Sequence, residues 1–212
     1  MKFGITTNFY QFIESLKKRN VSKKLSLLML SGRIEEYLVK EFAYHIYEQS
    51  NGKRFGLTNI GNNKEQKIDL AVIRGDYHNL EIESLLEAKY LRNKHRIWDA
   101  DAKDEIRTSL KSLSKQCHKI NSKQHGGIKL SLISKDKIIY GLVFGSYVES
   151  EKDKDKKAEF FDKCLSVADE LHFRYHDLKN PYWRSCFEDI RVELLDKKYK
   201  VTLKAGLWRK KA

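Results

Sequence analysis

Apolar residues recur along this chain in two rhythms. Between residues 8 and 19 they fall at Phe9, Phe12, Ile13 and Leu16, the three-and-four spacing of a helix that buries one side. The spacing returns at Ile34, Leu38, Phe42 and Ile46, with Ser31 suited to cap the first turn. The rhythm then shortens. After the Asn51-Gly52 turn, Phe55 to Ile60 reads as a strand. Lys67 to Ile73 and Ser84 to Tyr90 are short apolar runs rich in β-branched or aromatic residues. Gly61-Asn62-Asn63 and Gly75-Asp76 bound the first run, which predicts two strands joined as a hairpin or meander. Helical spacing resumes from about Trp98 to Asn121, through Ile106, Leu110, Leu113, Cys117 and Ile120. Ile128, Leu130 and Leu132 alternate, and the unbroken run Ile138 to Phe144 predicts a buried central strand. Glu149 to Lys157 is a charge run, read as a surface loop, and Phe160 to Phe173 is helical again. Ile190 to Leu194 and Tyr199 to Leu203 alternate around Asp196-Lys197-Lys198, the pattern of a hairpin with one polar face. Together these elements predict a single α/β domain over residues 1–212, with a central mixed sheet flanked by helices. A C-terminal helix and hairpin are predicted over 156–205.

Charge narrows the range of partners. Forty-two Lys and Arg against 29 Asp and Glu give a formal net charge of +13, which favours a polyanion. No apolar run reaches membrane-spanning length, so no membrane span is expected. Asn8, Gln11, Glu14 and Ser15 interrupt any apolar leader before Lys17-Lys18-Arg19. Cys117, Cys164 and Cys186 are far apart and odd in number, as free thiols of a reducing compartment would be, so a cytoplasmic protein is expected. Phosphate-loop, dinucleotide, zincin and nucleophile-elbow motifs are missing from the sequence. His172 and His176 stand four apart without an accompanying Glu or Cys at a metal-site spacing, and read as structural.

One group of charges sits where charge is costly. Side chains two apart on a strand share a face, so Glu87 and Lys89 point together, into space that Asp69 also reaches. Two carboxylates and an ammonium beside a core need a metal or one another. Upstream, Glu35 and Glu36 open the second helix. Glu35 lies beside Leu38 and Phe42 on the edge of the apolar stripe and Glu36 is turned a further step round; the dipole of the helix N-terminus accounts for both glutamates equally well. Glu81 and Glu83 share the parity of Glu87 but fall nearer the solvated start of their strand.

The succession of acidic helix, strand with Asp69, strand with Glu87-Ala88-Lys89 and basic helix resembles the PD-(D/E)XK nuclease superfamily, which includes many restriction enzymes and Holliday-junction resolvases. Ile68 stands where the name-giving proline would be. The resemblance covers about residues 31–145 and implies a restriction-endonuclease-like core. It implies catalytic roles for Asp69, Glu87, Lys89 and Glu35, with Mg²⁺, or Mn²⁺ in its place, held by Asp69, Glu87 and the Ala88 carbonyl. Lys89 would position the attacking water. The implied activity is Mg²⁺-dependent cutting or nicking of DNA, most naturally double-stranded, directed by sequence as in restriction, defence or mobile-element enzymes. Cutting both strands with one site per chain calls for a homodimer.

Basic residues around this group have two readings each. Lys103, Arg107, Lys111, Lys115 and Lys119 recur every four residues and form either a solvated helix face or a rail for backbone phosphates. Gln116, on the same helix, is a weaker site candidate. Lys200 and Arg209, in the C-terminal ribbon, either enter a duplex groove or keep a sheet edge soluble. A rival reading of the whole chain is a nucleic-acid-binding protein of the same fold with a catalytically silent site.

Overall fold

A computed structural model of the chain describes residues 4–31, 34–60, 68–75, 80–93, 133–149, 156–162, 174–175, 184–194 and 197–209. It is a mixed α/β fold. Three helices come first, α1 (Ile5–Leu16), α2 (Arg19–Ser31) and α3 (Glu35–Gln49). Seven strands follow among the described residues: β1 (Arg54–Ile60), β2 (Ile68–Arg74), β3 (Glu81–Arg92), β4 (Ile133–Glu149), β5 (Arg174–Tyr175), β6 (Arg184–Leu194) and β7 (Lys197–Arg209). They form one sheet in the order β1-β2-β3-β4-β7-β5, with β6 also paired to β7. β3 and β4 run parallel, and every other pairing is antiparallel. Among the described residues no helix is long and apolar enough to cross a membrane.

The helix predicted over 8–19 is α1, which starts and ends three residues earlier with Lys17 as its C-cap, and a further helix, α2, follows at once. The second helix escapes a hydrophobicity count because its buried stripe, Ser22, Leu25, Ser26 and Met29, is half serine. Those hydroxyls are satisfied within the helix: Ser22 Oγ donates to the Arg19 carbonyl at 3.1 Å and Ser26 Oγ to the Ser22 carbonyl at 2.8 Å. A serine that bonds back to its own helix can be buried at little cost.

Leu38, Val39, Phe42, Ala43 and Ile46 of α3 are buried. The Phe42 ring lies 5.1 Å from that of Phe12 and 6.2 Å from that of Phe9, which joins α3 to α1. This layer covers one sheet face, built from Leu70, Val72, Leu86, Ala88, Leu142, Phe144, Val201, Leu203 and Ala205. On the opposite face a helical stretch over 157–162 brings Phe160 against Tyr147, with ring centroids 5.9 Å apart. The end of α3 is fixed by Asn51 (φ 52°) and Gly52 (φ 75°), with Gly52 N–H bonded to the Tyr47 carbonyl and Asn51 N–H to that of Glu48. This left-handed stop turns the chain straight into β1.

The C-terminal hairpin is built into this sheet: β7 runs beside β4 from Tyr140↔Arg209 to Glu149↔Lys200. Its strands pair from Arg184↔Ala205 to Leu194↔Lys197 and are longer than the alternating segments alone indicate. The predicted helix over 98–121 lies outside the described residues, as do most of the predicted helix 160–173, His172 and His176, and Cys117 and Cys164. Cys186 is a buried free thiol.

Helix α3 meets β1 at Gly56. A Cβ there would lie 2.7 Å from both Ala43 Cβ and Leu70 Cδ1, and 3.0 Å from Ala43 Cα. Because two of those atoms belong to a short side chain and its backbone, they cannot swing away. Gly56→Ala is therefore expected to destabilise the fold by about 1–3 kcal/mol. A urea unfolding midpoint no lower than that of the unmodified protein would contradict the close approach.

Candidate active site

The site lies where the β2–β3 pairing stops. Their ladder runs from Arg74↔Glu81 to Leu70↔Leu86, although β2 begins earlier, at Ile68, and β3 continues to Arg92. Backbone N–H groups two apart on a strand point to the same edge. Past the last pair of the ladder, the N–H groups of Ala88 and Tyr90 face the β2 side, and two carboxylates receive them. Asp69 Oδ2 accepts the Ala88 N–H at 2.8 Å, and Glu35 Oε2 accepts the Tyr90 N–H at 2.5 Å. Glu35 is the first residue of α3, so the packing of that helix on the sheet delivers it to β3.

Register arranges a row across three strands. Thr58↔Leu70 and Ile60↔Ile68 set Asn59 across from Asp69. The β2–β3 ladder carried one step past Leu70↔Leu86 sets Glu87 across from Asp69 on the other side. Glu87 is buried, 1% exposed. Beside Asn59 and Asp69 lies a cleft of about 270 Å³ lined by Glu35, Glu36, Val39, Thr58, Asn59 and Asp69; Glu87 is not among its lining residues. Glu36 lies at its outer rim, ion-paired with Lys40 at 2.7 Å and two-thirds exposed. Of the two helix glutamates, Glu35 is the one bonded to the Glu-x-Lys strand.

The far side of β3 is closed as well. Asn93 continues the strand by side chain: its Nδ2 donates to the Val148 carbonyl at 3.0 Å, and the Val148 N–H donates to its Oδ1 at 2.7 Å. The Tyr90 hydroxyl shares a 2.5 Å hydrogen bond with Ser146 Oγ, and burial pushes its pKa above the ordinary phenol value. Lys89 pairs with Val143 through the main chain, while its side chain lies outside the described residues.

Glu81 and Glu83 are engaged at the other end of β3. Arg74 Nη2 bonds Glu81 at 2.7 Å, and Arg54 holds Glu83 through Nε at 2.8 Å and Nη2 at 3.2 Å. Lys103, Arg107, Lys111, Lys115, Lys119 and Gln116 all lie outside the described residues. Lys200 is within 3.6 Å of Glu149, and Arg209 pairs through its main chain with Tyr140 and Arg174.

The cleft presents hard oxygen donors: carboxylates from Glu35, Glu36 and Asp69, with Asn59 and Thr58 beside them. Among the described residues no group of three or more His, Cys, Asp or Glu side chains is placed to hold a metal ion together. Mg²⁺ takes oxygen ligands, retains several waters and needs only one or two carboxylates, so the donor set fits it; a structural zinc site would need more protein ligands. Sequence reasoning missed Asn59 and Thr58, and the signal was slight: asparagine is enriched where the backbone turns left-handed, and two more asparagines follow at 62 and 63. Comparison with known protein families, with curated proteins and with solved structures yields no match.

The capping bonds predict a contrast between variants. Asp69→Ala and Glu35→Ala each leave a main-chain N–H without its acceptor, at a cost of about 1–3 kcal/mol. Asp69→Asn and Glu35→Gln keep an oxygen in place and should unfold near the urea concentration of the parent. Amide exchange at Ala88 and Tyr90 should accelerate in the alanine variants alone; equal protection in all four would show that these carboxylates do not cap β3.

Proposed function

We propose that this protein is a Mg²⁺-dependent phosphodiesterase that cuts or nicks DNA, with a restriction-endonuclease-like core of the PD-(D/E)XK type. One observation carries the reading. A helix glutamate and a strand aspartate, 52 and 18 residues before Glu87 by their numbers, both bond the main chain of the strand that bears Glu87-Ala88-Lys89. Chance occurrences of Glu-x-Lys have no reason to gather those two acids.

In this role Asp69 and Glu87, with the Ala88 carbonyl, would hold the cation, and Glu35 completes the acidic side of the cleft. Mg²⁺, when bound, would neutralise charge on the phosphate and lower the pKa of the attacking water. Lys89 orients that water and offsets the negative charge that develops on the phosphoryl oxygens. The water oxygen bonds to phosphorus as one P–O bond to a sugar breaks. One of the water's protons ends on the departing sugar oxygen, so the products are a phosphate monoester and a free hydroxyl. The net charge of +13 draws the polyanion to the surface.

Asp69→Asn, Glu87→Gln and Lys89→Ala should each lower the rate by ~10²-fold or more. The assay is supercoiled plasmid incubated with and without Mg²⁺, read as nicked, linear or intact product. In parallel, Mg²⁺ or Mn²⁺ should raise the melting temperature of the parent protein by mass action, and of Asp69→Asn much less. Cutting by both Asp69→Asn and Lys89→Ala at the parent rate would remove these residues from the chemistry. DNA binding without cutting and without a metal-linked rise in melting temperature would instead select a silent DNA-binding protein.

A further inference from the structure

Among the described residues, three other than glycine have a positive φ: Asn51 at 52°, Asp189 at 51° and Asn59 at 56°. Two are explained by their surroundings. Asn51 ends α3, as described above. Asp189 sits where β6 slips its register, its N–H bonded to Thr202 Oγ1 at 3.2 Å and its carboxylate to Lys157 Nζ at 2.8 Å. Asn59 has no comparable account. It lies within β1, between residues paired to β2 on both sides, and its side chain is exposed. Among the described residues no hydrogen bond ties that side chain to the protein.

What the conformation does is geometric. Consecutive side chains of a regular strand point to opposite faces. The left-handed turn at Asn59 breaks that alternation, and both Thr58 and Asn59 line the cleft, with Asn59 across from Asp69. An unexplained backbone outlier at the wall of a candidate site points from strain towards function. Its chemistry is complementary as well. Glu35, Glu36 and Asp69 make the cleft wall acidic, which repels a phosphate. A neutral carboxamide can donate to a phosphate oxygen and accept from a water or a base edge.

We propose that Asn59 is a substrate-positioning residue whose carboxamide donates to a non-bridging phosphate oxygen of DNA lying in the cleft beside Asp69. The inference rests on the phosphodiesterase reading above. It predicts uniform binding, felt in the substrate and the transition state alike, so its loss raises KM and leaves kcat nearly unchanged.

The test uses the full chain with Asn59→Gly and Asn59→Asp. Glycine accepts a φ of 56° without strain and removes only the side chain. Aspartate keeps the shape and local tolerance but adds charge facing the phosphate. Both should melt like the parent. With plasmid or duplex DNA and Mg²⁺, Asn59→Gly should raise KM by roughly tenfold or more, as expected for one hydrogen bond to a charged group. Asn59→Asp should raise it further, and that excess should shrink as salt is added. Parent-like KM in Asn59→Gly, or an equal effect of Gly and Asp, would overturn the assignment, as would failure of Asn59→Gly to fold. If the parent cuts and the glycine variant cuts equally well, only this inference fails. If the parent leaves DNA intact with Mg²⁺, the phosphodiesterase reading fails and takes this one with it.

Discussion

The end of β3 depends on carboxylates that take over where a strand ladder stops. The β2–β3 pairing ends at Leu70↔Leu86 while the β3 main chain runs on to Arg92, so the amide groups at 88 and 90 lie past its last pair. A buried edge of this kind must find acceptors. Asp69 supplies one from the neighbouring strand and Glu35 another from a helix more than fifty residues upstream. Asn93 seals the opposite side against β4. The segment holding Glu87, Ala88, Lys89 and Tyr90 is thus fixed from both edges by side chains. That requirement brings the acids together before any ligand is considered. It also ties α3 to the sheet at a defined height, since Glu35 reaches β3 only when Phe42 and Ala43 are seated on the sheet side of the helix.

Charge is sorted along β3. At its start, Glu81 and Glu83 are neutralised by Arg74 and Arg54, two cations that face each other in the β1–β2 register. At its end, Asp69 and Glu35 each accept a main-chain N–H, and Glu36 pairs with Lys40. Amide dipoles orient a carboxylate without cancelling its charge, unlike a paired arginine. The two ends of the strand thus hold their acids by different means.

Legibility from sequence followed the range over which each interaction acts. Strand positions and the α3 stripe follow from local period, and the register sets Asp69 across from Glu87. The choice of Glu35 over Glu36 came with the family resemblance, in which the acid is followed by apolar residues three, four and seven positions later, and Glu35 bonds β3. Less local features were hidden. Ser22 and Ser26 are buried because they bond to their own helix, which polarity alone does not reveal, so α2 merged with a basic cluster. The pairing of β7 with β4 could not be read from alternation, because a hairpin looks the same whether it stands alone or joins a sheet; the deciding contacts lie about sixty residues apart. Asn59 was hidden for a third reason. Its role depends on one dihedral angle, and asparagine only permits that angle.

Placing the proposed cation ligands in capping positions carries a structural consequence. A carboxylate has two oxygens, and when one accepts a fixed N–H the orientation of the other follows from the backbone. At Asp69 the bond to Ala88 does this from within the motif, because Ala88 is also the residue whose carbonyl is proposed as a ligand. The donor N–H and that carbonyl belong to neighbouring peptide units of one strand, so one stretch of main chain orients both. Ligands oriented this way would need little reorganisation when an ion arrives, which is how a small donor set can bind and still leave positions to water. The capping bond needs only an oxygen, which an asparagine at 69 would also supply, whereas the proposed cation site uses the charge of an acid.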